Sequence, residues 1–149
     1  MRKAQLIVTI ALMGIFLITG CRTSSSSSPS YSMRATIGTA SMDGTICTAA
    51  VAGTALGIGG VTVTGGTGGP PEINLTIANW GGSAGVFSIG TVSSGSFAEY
   101  VVSASSTLVS QSGSITISSV STTTITGTFN FTCTDGTVIS AGTFSAKRY

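Results

Sequence analysis

From Ile125 to Cys133 apolar and polar positions alternate without a break. Ile125, Phe129, Phe131 and Cys133 fall on one face with Gly127, and Thr126, Thr128, Asn130 and Thr132 fall on the other. A period of two belongs to a half-buried β-strand, because successive side chains leave a pleated strand on opposite sides. Thr134-Asp135-Gly136-Thr137 follows, and Asp-Gly accepts positive φ at low cost, so the segment predicts a tight turn. Val138 to Ala146, carrying Phe144, is the predicted return strand.

The same pattern, in shorter pieces, fills the preceding residues. Further strands are predicted over Arg34–Thr39, Thr45–Val51, Gly60–Thr64, Ile73–Ala78, Val86–Ile89, Phe97–Ser103 and Ser114–Ser119, separated by Gly, Ser, Pro and Asp. Ile73, Leu75 and Ile77 share one face, as do Ile115 and Ile117. About nine short strands with no helical period between them predict an all-β fold, either an antiparallel two-sheet sandwich or a small barrel. Gly127-Thr128-Phe129 and Gly142-Thr143-Phe144 form a loose repeat. Two copies are too few for a solenoid, so they are read as facing strands that each place a Phe in one core.

The N-terminus breaks the pattern. Arg2 and Lys3 precede an apolar run, Leu6–Ile18, of 13 residues. That is short of the roughly 20 residues needed to cross a hydrocarbon core as a helix, and basic residues flank it on the N-terminal side alone. Such an order reads as a secretory signal. Ile18-Thr19-Gly20-Cys21 resembles the lipobox of bacterial lipoproteins, which implies removal of residues 1–20 and acylation of Cys21. The alternative is an ordinary cleaved or uncleaved signal in which Cys21 is incidental. Residues 21–32, rich in serine, have nothing to bury and are expected to form a flexible tether, leaving 33–149 as one all-β domain. Arg22 stands where enteric lipoproteins retained at the inner membrane carry Asp, so that resemblance points to the outer membrane.

Ser112-Gly113-Ser114-Ile115-Thr116-Ile117, Ile125-Thr126-Gly127-Thr128-Phe129-Asn130-Phe131 and Gly142-Thr143-Phe144 look like a family of small uncharacterised β-rich lipoproteins of Gram-negative bacteria. Val61-Thr62-Val63-Thr64-Gly65 followed by Ile73-Asn74-Leu75-Thr76-Ile77 is similar to the same pattern. The resemblance implies a β-rich envelope domain and assigns no catalytic residue.

Charge narrows the function classes. Past the signal, Arg22, Arg34, Lys147 and Arg148 face Asp43, Glu72, Glu99 and Asp135, a neutral balance. No basic patch is available to release counterions from nucleic acid, so that partner is not expected. Ser and Thr make up roughly a third of the chain, and a surface of hydroxyls with few charges resists association poorly.

The chain has no histidine. Ser-His-Asp and Cys-His mechanisms and imidazole zinc sites are therefore not expected, and no metal, cofactor or catalytic residue is assigned. Gly57-Ile58-Gly59-Gly60 and Gly65-Gly66-Thr67-Gly68-Gly69 lack the Lys-Ser/Thr of a phosphate loop and read as turns ending at Pro70-Pro71. Glu72 and Glu99 alone could imitate a glycosidase pair, which requires carboxylates roughly 5–10 Å apart at a cleft; each reads more simply as a surface charge. With Cys21 acylated, Cys47 and Cys133 are the two thiols left in an oxidising compartment, so a disulfide between them is expected, two buried free thiols being the alternative. Trp80 is the single tryptophan. It either caps an open end of the fold or stacks on a sugar.

Three classes remain. The first is a non-enzymatic envelope lipoprotein, held in the membrane by acyl chains on Cys21. The second is a glycan- or polymer-binding module that uses Trp80. The third is an adhesive or pilus-type subunit that pairs edge strands with another protein copy.

Overall fold

The computed structural model describes residues 30–64 and 67–149. The signal, Cys21 and most of the tether lie outside the described residues. Ten strands follow in chain order: β1 (Ser32–Ile37), β2 (Ala40–Gly44), β3 (Ile46–Ala52), β4 (Ala55–Thr64), β5 (Thr67–Ile77), β6 (Gly85–Ile89), β7 (Phe97–Ser103), β8 (Ser106–Val120), β9 (Thr124–Cys133) and β10 (Val138–Arg148). A single 3-10 turn, Val92–Ser94, precedes β7.

Seven strands close a barrel, running β10-β3-β4-β5-β7-β8-β9 and back to β10. Every junction is antiparallel except the seam between β10 and β3, where Lys147 and Arg148 lie parallel to Thr48 and Ala49. Two long strands make closure possible, because each serves more than one neighbour along a single edge. β10 pairs with β1 through Ser145–Ile139 and reaches β3 only past that point. β8 pairs with β7 near Thr107–Val109 and with β6 through Gly113–Ile117. β1, β2 and β6 are therefore additions to the ring. Of the two expected architectures the barrel is observed, a ring of seven strands with three added to it, and one of its contacts is parallel rather than antiparallel.

The alternation in β9 is preserved in space. Ile125, Gly127, Phe129, Phe131 and Cys133 are buried, and Thr128 and Asn130 are exposed. Ile73, Leu75 and Ile77 of β5 and Ile115 and Ile117 of β8 join them in one core with Met33, Leu56, Ile58, Ile139 and Phe144. The two Gly-Thr-Phe triplets pair antiparallel, Gly142 against Phe129, Thr143 against Thr128 and Phe144 against Gly127. The turn between them forms as predicted. Gly136 takes φ 89°, and Asp135 accepts hydrogen bonds from the Thr137 N–H and hydroxyl, both at 2.9 Å.

The turn reading of the glycine-rich stretches is corrected for their described residues, while Gly65 and Gly66 lie outside the described residues. Gly57, Gly59 and Gly60 lie inside β4, and Gly68 and Gly69 inside β5. Gly60 faces Met33, whose side chain occupies the space a Cβ would need, so at this position glycine serves packing rather than a turn. Pro70 and Pro71 fall where the β4–β5 register slips between Val61 and Thr62, a bulge that does not call on their missing N–H groups.

Candidate functional site

The C-terminal end of β10 gathers most of the chain's distinctive side chains. Trp80 follows β5, and its N–H donates to the Thr54 carbonyl of the β3–β4 turn at 2.7 Å. Its indole Nε1 donates to the Ser83 carbonyl at 2.9 Å. Arg148 reaches over the indole, guanidinium carbon 5.6 Å from the ring centre, and donates from Nη1 to the Ser121 carbonyl at 3.0 Å. The Arg148 N–H donates to Thr123 and the Tyr149 N–H to Ala49. Three loops and the C-terminal strand are thus tied around one aromatic ring. Trp80 is only 6% exposed: it is an end cap, and the sugar-stacking alternative lacks an open ring face.

Beside this cap lies an open groove of about 330 Å³, lined by Tyr31, Ile46, Cys47, Thr48, Lys147 and Tyr149 together with Ser30 and Thr45. It follows the seam where β10 leaves β1 for β3. The Lys147 ammonium sits 4.7 Å from the centre of the Tyr149 ring. The described chain begins here, at Ser30.

Cys47 and Cys133 are free and buried, which corrects the expected disulfide. Cys47 precedes Thr48, the partner of Lys147, and is therefore level with Ala146. The Cys133 N–H donates to the Thr137 carbonyl at the opposite end of β10. The nine residue steps from 137 to 146 span roughly 30 Å at about 3.3 Å each, whereas a disulfide needs Cα atoms within about 7 Å. Burial pushes the Cys47 thiol up to about 12. Burial, with the Asp135 carboxylate second, raises Cys133 to about 11. Neither is a ready nucleophile.

Glu72 and Glu99 do come together. Glu72 faces Val101 and Glu99 faces Asn74 across β5 and β7, so the carboxylates are diagonal neighbours on one face, Cα atoms roughly 7–8 Å apart. Partial burial and then the Glu72 charge raise the Glu99 carboxyl above its ordinary value. Their setting is the outer wall rather than a cleft, since the alternate residues Ile73, Leu75 and Ala98 fill the core. Among the described residues no group of three His, Cys, Asp or Glu is placed to hold a metal.

One polar residue that the sequence does not single out is wholly buried. The Ser110 hydroxyl donates to the Gly90 carbonyl and accepts from the Ala98 N–H at 2.9 Å, joining β8 to β7 and to the residue after β6. A serine in a serine-rich strand carries no sequence signal for such a role.

The family described as Domain of unknown function (DUF6252) matches residues 35–146. The chain belongs to this family, whose span runs from within β1 to within β10 and so covers the barrel. No curated protein and no solved structure matches the chain.

Proposed function

We propose that this chain is a lipid-anchored protein of the bacterial cell envelope with a structural or interaction role and no catalytic activity. The single observation that carries the reading is Ile18-Thr19-Gly20-Cys21 at the close of a 13-residue apolar run with basic residues ahead of it. A thioether-linked diacylglycerol with an amide-linked acyl chain is a stable anchor, since each buried methylene contributes about 0.8 kcal/mol. The outer membrane is the proposed address, following Arg22. The low reactivity of Cys47 and Cys133 and the placement of Glu72 and Glu99 on an outer wall support a non-enzymatic role. Radiolabelled palmitate in growing cells tests the anchor: the native chain takes up label and fractionates with membranes, and Cys21→Ser does neither. Label retained by Cys21→Ser would overturn the reading.

A second reading, assembly with another copy by strand addition, is favoured by β6. It pairs with β8 alone among the described strands and carries Val86 at 72% exposure. An open edge of this kind is a template for a further strand. Sedimentation velocity over a concentration series tests it: assembly grows with concentration under this reading, and a constant monomer rejects it.

A further inference from the structure

The described chain holds three basic residues, Arg34, Lys147 and Arg148. Arg34 is paired with Asp43 at 2.8 Å. Lys147 and Arg148 are adjacent in sequence at the Trp80-capped end, where the groove also brings in Tyr31 and Tyr149. Tyr149 is 63% exposed. Asp135 lies at the far end of β10, and Glu72 and Glu99 lie on the barrel wall. The barrel is thus polarised, with cations and amphipathic rings at one end. Lysine, arginine, tyrosine and tryptophan are the residues that settle at a membrane–water interface, each with an apolar body and a polar or charged tip.

That end is also where the chain arrives from its N-terminus. Eight residues separate Cys21 from Ser30, so the extended reach between the two is at most about 32 Å. An anchor at Cys21 therefore holds this end of the barrel near the lipid. We propose that the rim formed by Tyr31, Lys147, Arg148 and Tyr149, with Trp80 beneath Arg148, rests on the anionic headgroups of the membrane that carries the anchor. This orientation rests on the lipid-anchor reading above. Two basic residues give a modest electrostatic attraction to an anionic surface. Seating depends on the rings and the short tether as well, and added salt weakens the charged part alone.

Trp80, the single tryptophan, reports the geometry directly. The lipidated full chain is reconstituted into vesicles of phosphatidylethanolamine and phosphatidylglycerol containing a headgroup spin-labelled lipid, and Trp80 emission is compared with that in unlabelled vesicles. The expected result is strong quenching that is severalfold weaker in Lys147→Glu/Arg148→Glu, weaker in vesicles without phosphatidylglycerol, and weaker in high salt. The double variant Trp80→Phe/Val138→Trp moves the fluorophore to the opposite end of β10 and should escape quenching. Protein that floats with the vesicles while Trp80 stays unquenched, or while the relocated indole of the double variant is quenched equally, overturns the orientation and leaves the anchor intact. Protein that does not float with the vesicles overturns the anchor, and the orientation with it.

Discussion

Phe144 stands directly across from Gly127, and a Cβ at residue 127 would lie 2.6 Å from the Phe144 ring. The mirror relationship holds for Phe129 and Gly142. Each glycine leaves the room that the opposing phenyl fills, and the Phe129 and Phe144 rings meet with centres 6.4 Å apart. Gly-aromatic cross-strand pairs of this kind fix register in a curved sheet, which accounts for the repeated triplet.

Gly127→Ala should therefore destabilise the barrel by about 1–3 kcal/mol, because the new methyl meets the Thr116 carbonyl as well as the ring. Gly81→Ala has nothing within 4 Å and should stay within about 0.5 kcal/mol of the native protein. Urea denaturation followed by Trp80 fluorescence measures both, and equal midpoints would contradict the pairing.

The two faces of β9 should respond differently. Phe131 is 2% exposed, so Phe131→Ala should cost about 3–5 kcal/mol. Thr128, on the exposed face, should change stability by no more than about 0.5 kcal/mol when replaced by Ala. A one-residue slip of register would exchange the two results.

Ser110→Ala should cost about 1–3 kcal/mol, since it strands a buried N–H at Ala98 and a carbonyl at Gly90. Amide hydrogen exchange gives a more specific readout: protection at Ala98 should fall, while that of the β9–β10 hairpin should hold.

The thiols give a pH prediction. With both raised above the ordinary value of 9.0 in the folded chain, the unfolded state loses its thiol protons first. Stability should fall as pH rises from about 9 toward about 12, and Cys47→Ala/Cys133→Ala should flatten that fall. At neutral pH a thiol reagent should find none in the native acylated protein and two after denaturation, with or without prior reductant. Two thiols appearing only after reduction would restore the disulfide.

The C-terminal hairpin is legible in the sequence because its code is local: unbroken alternation in β9, then Asp135-Gly136. β7 matches its expected span, Phe97–Ser103. β2 carries no comparable signal, because only Met42 and Gly44 of its five residues point inward. The pattern in β8 is legible only over Ser114–Ser119, since Gly113 and the register slip between Ser110 and Ser112 interrupt it upstream. Closure of the barrel depends on two parallel residue pairs between the middle of β3 and the end of β10, a long-range event that no local pattern encodes. The disulfide expectation fails for the same reason: counting thiols says nothing of which end of a strand each occupies. For Trp80 the sequence leaves cap or ligand contact, and the choice between them needs Arg148, which is distant in sequence.

The intact mass of the protein purified from its native membrane tests the anchor most directly. The account predicts a chain starting at Cys21, with residues 1–20 gone and the mass raised by a diacylglyceryl group and an amide-linked acyl chain, all of it lost in Cys21→Ser. A chain that retains residues 1–20, or that begins at an unmodified residue, would contradict it.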